Sequence, residues 1–117
     1  MGHLPTHVLD TTNRCPAQGM AFELWRVNPD GAERMPAAIT NQDGRTPGAL
    51  LGGPTLMPGT HKLVFMVGEY FTAMGNPQSD PPFLAMVTLR FTMAEPNGDY
   101  HVPLLCSPWS HTTYRGN

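Results

Sequence analysis

The side chains able to do chemistry in this chain gather near its two ends. His7 lies in Thr6-His-Val-Leu-Asp10, and the closing stretch from Asp99 to Asn117 carries His101, His111, Tyr114 and Arg115. A neutral imidazole takes a proton from water near neutral pH, and three imidazoles with an open fourth position can hold zinc. Proton transfer and metal-assisted hydrolysis are both within reach of these residue types. Ser107-Pro108 reads as a corner rather than a nucleophile, because no Gly-x-Ser-x-Gly elbow surrounds it. Arg45 ends an Asp-Gly-Arg turn, which on its own reads as a solvated charge.

Short strands must position these residues. Thirteen prolines and twelve glycines punctuate the chain about every ten residues, the rhythm of an all-β sandwich or barrel. The runs between them predict strands over Thr6–Thr11, Met20–Val27, Arg34–Asn41, Ala49–Leu51, His61–Val67, Leu84–Met93, Asp99–Cys106 and His111–Arg115. Asn28-Pro-Asp-Gly31 and Asn97-Gly98 supply hairpin turns. One short helix is expected over Gly68–Met74, stopped by the Pro-rich loop that follows.

Successive side chains on a strand face opposite ways, so each run divides into two sets. In the first strand Thr6, Val8 and Asp10 oppose Pro5, His7 and Leu9; in the seventh, Val102, Leu104 and Cys106 oppose His101, Pro103 and Leu105. In the last, Thr112, Tyr114 and Gly116 oppose Thr113 and Arg115. If these strands share a sheet, His7, His101, Thr112 and Tyr114 project from one outer face. That face is part apolar and part titratable, as expected where a second subunit covers it.

At 117 residues one domain spanning 1–117 is expected. A net charge of −2 gives no basic stripe for nucleic acid and no cationic face for a membrane. No window reaches the roughly 18 apolar residues of a membrane span, and Met1-Gly-His-Leu-Pro5 does not resemble a signal peptide. A cytoplasmic protein is expected, with no peroxisomal Ser-Lys-Leu ending. Cys15 and Cys106 are expected to be reduced thiols, Cys15 in a turn and Cys106 in the core. Charged residues are 14%, below the roughly 25% of an average soluble domain, which points to buried surface between subunits.

Four blocks then carry a resemblance: Thr6-His-Val-Leu-Asp10 with Pro16-Ala17; Thr40-Asn-Gln-Asp-Gly-Arg45; Pro58-Gly59 through Val64-Phe65 to Gly68-Glu-Tyr-Phe71; and Tyr100-His-Val-Pro-Leu-Leu-Cys-Ser-Pro108 with Tyr114-Arg-Gly-Asn117. In this order and spacing the chain resembles the transthyretin-like proteins that act as 5-hydroxyisourate hydrolases. The resemblance implies a sandwich of two four-stranded sheets with one short helix. It implies that the first, seventh, eighth and short fourth strands share a sheet, and that the subunits form a homotetramer, a dimer of dimers. It implies hydrolysis of 5-hydroxyisourate to 2-oxo-4-hydroxy-4-carboxy-5-ureidoimidazoline in urate breakdown, with no organic cofactor and no metal.

Carried over by motif, the catalytic positions fall on His7, Arg45 and His101. The substrate walls fall on Pro103, Leu105, Thr112, Tyr114, Arg115, Gly116 and Asn117. The histidines are assigned jointly to water activation, since two converging imidazoles disfavour double protonation. Arg45 offers a fork of donors to the anion that develops as water attacks the carbonyl. The chain departs from the family's pattern at Arg14, where glycine is usual, at His111, where an aromatic is usual, and at Asn117, where serine ends the chain. The alternatives are a non-catalytic small-ligand carrier of the transthyretin type, or a zinc-dependent cyclic amide hydrolase built on His7, His101 and His111.

Overall fold

The computed structural model describes residues 4–46, 58–95 and 100–116. In chain order these form β1 (Thr6–Asp10), β2 (Cys15–Pro16), β3 (Ala21–Asn28), β4 (Gly31–Ile39), β5 (Gly59–Phe65), α1 (Val67–Ala73), β6 (Val87–Met93), β7 (Val102–Cys106) and β8 (His111–Thr113). They make two four-stranded sheets, ordered β2-β1-β7-β8 and β4-β3-β5-β6. The all-β sandwich with one short helix is therefore the fold.

Alternation explains how the sheets face each other. Phe22 and Leu24 of β3, Leu63 and Phe65 of β5, and Val87 and Leu89 of β6 are buried against Val8, Leu104 and Cys106 from the other sheet. The Phe22 and Phe65 rings lie 5.8 Å apart, a spacing that adds aromatic contact to their area burial. Helix α1 closes one end by burying Val67, Tyr70 and Phe71. Asn28-Pro-Asp-Gly31 makes the β3–β4 hairpin, with Gly31 at φ 140°, a conformation open to glycine.

The first sheet unites the ends of the chain. β1 runs parallel to β7, with His7 beside Pro103 and Leu9 beside Leu105, and β7 runs antiparallel to β8. Several boundaries differ from expectation. The last strand stops at Thr113 instead of Arg115, and β6 begins at Val87 instead of Leu84. Cys15 lies in β2, paired with Asp10, rather than in a turn. A two-residue strand containing proline has no periodicity by which to announce itself. The expected strand at 49–51 and the Asn97-Gly98 turn lie outside the described residues.

Asp10 is buried and tied from several sides. Its Oδ1 accepts the Asn13 N–H at 2.8 Å, while its Oδ2 accepts the Asn13 side-chain amide at 2.6 Å and the Tyr70 hydroxyl at 2.8 Å. This joins the end of β1 to α1. Cys15 and Cys106 flank Asp10 on opposite neighbouring strands, two strand spacings or roughly 10 Å apart, which is beyond disulfide reach. Both thiols are free, and burial, with Asp10 beside it, pushes the Cys106 thiol up to about 12.

Candidate active site

The outer face of the β2-β1-β7-β8 sheet brings His7 and Arg45 side by side. Thr6, Val8 and Asp10 are buried in the core while His7 and Leu9 stay half-buried on the other side, as the alternation of β1 requires. Beside the part of β1 that β2 does not reach, Arg45 forms an isolated antiparallel bridge with His7. Bridged residues share a face, so the guanidinium stem starts beside the imidazole.

What carries Arg45 there is a short, tightly tied turn. The Asn41 side-chain oxygen accepts the N–H of Asp43 at 2.9 Å and of Arg45 at 3.0 Å. The Asn41 N–H donates to the Arg45 carbonyl at 3.0 Å, and the Gly44 N–H donates to the Asn41 carbonyl at 2.9 Å. Gly44 in turn accepts the Val8 N–H at 2.7 Å, locking the turn onto β1. Gly44 has φ +73°, and a Cβ there would overlap the Val8 carbonyl oxygen, so no other residue fits. On the far side of the bridge the Thr46 hydroxyl accepts the Thr6 N–H at 3.1 Å.

His101 lies on the other flank, immediately before β7 and two residues before the Pro103 that pairs with His7. It is bridged to Gly116, whose N–H donates to the His101 carbonyl at 2.7 Å. Its Nε2 is buried and has no hydrogen-bond partner among the described residues. A buried polar atom left open calls for a ligand or water.

Electrostatics follow from this arrangement. Burial lowers the pKa of His7 below its ordinary 6.5, the Arg45 charge lowers it further, and the nearby His101 adds to this. A hydrogen bond to the backbone of Asp43 and the Asp43 charge oppose the shift. The balance keeps His7 neutral around pH 7, the form that accepts a proton.

The expected substrate-binding residues divide. Leu105 is half-buried and Thr112 exposed on the His7 face, paired across β7 and β8. Pro103 is buried, and its carbonyl accepts the Thr113 hydroxyl at 2.7 Å. Arg115 lies with its guanidinium carbon 4.4 Å above the Tyr100 ring. With Tyr114 it lines a cleft of about 420 Å³ against Arg90, Phe91 and Thr92 of β6, at the sandwich edge and away from His7. Asn117 lies outside the described residues. Among the described residues no three His, Cys, Asp or Glu side chains converge to hold a metal, and His111 sits exposed across from Cys106. The residues that sequence reading missed are Asn41 and Gly44; an Asn followed three positions later by Gly is the signature of such a turn.

Comparison with known proteins agrees with this fold. The family described as HIUase/Transthyretin matches residues 4–116. The chain is 48% identical to the 5-hydroxyisourate hydrolase of Deinococcus radiodurans, over 99% of this chain and 98% of that one. It is 45% identical to the 5-hydroxyisourate hydrolase of Pseudomonas aeruginosa, over 100% of this chain and 93% of that one. Among solved structures, (S)-allantoin synthase superposes with a TM-score of 0.92 at 44% identity. That match covers 99% of this chain, which spans only 44% of the synthase chain.

Proposed function

This chain belongs to the HIUase/transthyretin family, and from that premise we propose that it hydrolyses 5-hydroxyisourate through His7, His101 and Arg45. The observation that carries the reading is one sheet face on which His7 is bridged to Arg45 while the neighbouring His101 keeps a buried, unpartnered Nε2. Full-length kinship to proteins named 5-hydroxyisourate hydrolase supports the enzyme class and the substrate.

The chemistry is opening of a cyclic amide by water. One imidazole takes a proton as the water oxygen bonds to the ring carbonyl carbon, and the carbonyl oxygen becomes an anion. Arg45 stands beside His7 with fixed donors for that anion and, by its charge, holds His7 in the neutral, proton-accepting form. Collapse of the tetrahedral intermediate breaks the ring C–N bond, and the proton passes to the departing nitrogen. The product is 2-oxo-4-hydroxy-4-carboxy-5-ureidoimidazoline. His7 and His101 share water activation and orientation.

The test adds freshly generated 5-hydroxyisourate and follows its ultraviolet decay with and without protein. Acceleration is expected, with at least about a hundredfold loss in His101→Ala or Arg45→Ala, the lower range for a general base or an oxyanion donor. No acceleration by the unaltered protein overturns the activity, and near-normal turnover in a folded variant overturns the role of that residue. The low charged fraction and the half-buried Leu9 and Leu105 on the site face support assembly as a homotetramer. Sedimentation equilibrium should give four chains per particle; a monomer would contradict this.

A further inference from the structure

We propose that Gly116 is a positioning residue for His101: it is glycine because the imidazole occupies the space that any other residue's Cβ would need. This deepens the hydrolase reading and rests on it for its effect on rate. A Cβ built on Gly116 would overlap His101 Nδ1 and lie 3.0 Å from Cγ and 3.2 Å from the His101 Cβ. The Nδ1 contact is closer than real side chains come and the other two are tight, so the ring or the Gly116 backbone would have to shift.

Backbone freedom is not the reason for the glycine. Gly116 is absent from the residues with positive φ, in contrast to Gly44 at φ +73°. An alanine there meets no positive-φ penalty; what it meets is the ring. The bridge also continues the register of the β7–β8 ladder, in which Leu104 pairs with Thr113. Gly116 and His101 are thus direct cross-strand neighbours on one face, where side chains approach most closely.

The consequence reaches the chemistry through a rotamer. With the Gly116 N–H held by the His101 carbonyl at 2.7 Å, the chain end forms a wall along the Nδ1 side of the ring. Nδ1 and Cγ of the ring face Gly116, and the Nε2 that remains is buried and unpartnered. A side chain at 116 would turn the imidazole about χ1 and carry Nε2 off its position. Displacements of this order in catalytic groups are costly, up to about a hundredfold per ångström. The family resemblance implies that Gly116 lines the substrate; its contact with His101 gives it a further task.

The experiment compares the unaltered protein with Gly116→Ala, His101→Ala and the double variant. In ring-detected NMR of the substrate-free unaltered protein, Gly116 Hα should give cross-peaks to His101 side-chain protons; their absence overturns the contact. In Gly116→Ala the His101 ring resonances should move while thermal unfolding stays unchanged, and unmoved resonances overturn the proposal. With 5-hydroxyisourate, kcat should fall roughly tenfold or more with KM changed less than about threefold. In the His101→Ala background the same substitution should cost less than about twofold, because the group it acts through is gone. An undiminished loss in that background would assign Gly116 to substrate contact and overturn the positioning role. If the unaltered protein does not accelerate the reaction, the hydrolase reading fails while the two NMR arms still decide the contact.

Discussion

In the proposed mechanism a histidine that serves as a base must be neutral when substrate arrives, and at His7 two features favour the neutral form. Burial disfavours the charged imidazolium, and the Arg45 charge repels it. Because the pKa is lowered, more than half of His7 is neutral at pH 6.5, so the acid limb of kcat/KM should fall below that pH. Arg45→Gln removes the charge and keeps a hydrogen-bonding side chain. The acid limb should then move upward in pH, toward 6.5, on top of the loss in rate. A pH profile of the variant with an unmoved limb would show that Arg45 does not set the His7 proton affinity. His7 and His101 were legible in the sequence because alternation alone separates them from Val8 and Val102. Arg45 was reached only through the family resemblance, because Asp-Gly-Arg is a common turn and nothing local says that it docks on β1. Asn41, which ties that turn, was missed for the same reason.

At the scale of elements, the β1–β2 connection carries a strained residue. Arg14 has φ 58° in the left-handed region, where an L side chain crowds its own backbone, and it is exposed. Its resemblance to a position usually held by glycine has a direct physical meaning here: the turn into β2 demands that conformation. Arg14→Gly should stabilise the fold by up to about 1 kcal/mol, less whatever entropy glycine adds to the unfolded chain. Chemical denaturation should show a higher midpoint; a lower one would mean that the Arg14 side chain makes a compensating contact. The long, regularly alternating strands were legible from their pattern, and so was the Asn28–Gly31 hairpin. β2 was not, since it is two residues long and exists through its pairing with Leu9 and Asp10. The early ending of β8 at Thr113 escaped notice as well, because Tyr114 and Arg115 continue an alternating pattern while leaving the ladder.

The molecule as a whole separates its proposed active site from its other titrating centre. His7 and His101 belong to one sheet; His61 belongs to the other, fully buried on β5 between Arg26 of β3 and Phe91 of β6. Its Nδ1 lies 3.2 Å from the Gly59 carbonyl, its ring stacks on Phe91 at 6.1 Å between centroids, and its Nε2 has no partner among the described residues. Burial lowers the His61 pKa and Arg26 adds to this, against the hydrogen bond to Gly59. The unfolded chain therefore binds a proton at higher pH than the folded one does. Stability from this site is complete above about pH 6.5 and is lost as pH falls through that value toward the folded pKa. His7 contributes with the same sign, so replacing His61 should weaken the acid sensitivity without removing it. His61→Phe deletes the titrating group and keeps an aromatic ring against Phe91. Thermal unfolding followed from pH 7.5 down to pH 5 should then show a smaller fall than in the unaltered protein. The acid limb of kcat/KM should stay where it was, because it belongs to the opposite sheet. An equal fall in both proteins would mean that folded His61 takes up its proton as readily as the unfolded chain does, finding a partner when charged, whereas a shifted activity limb would mean that the two sheets titrate as one system.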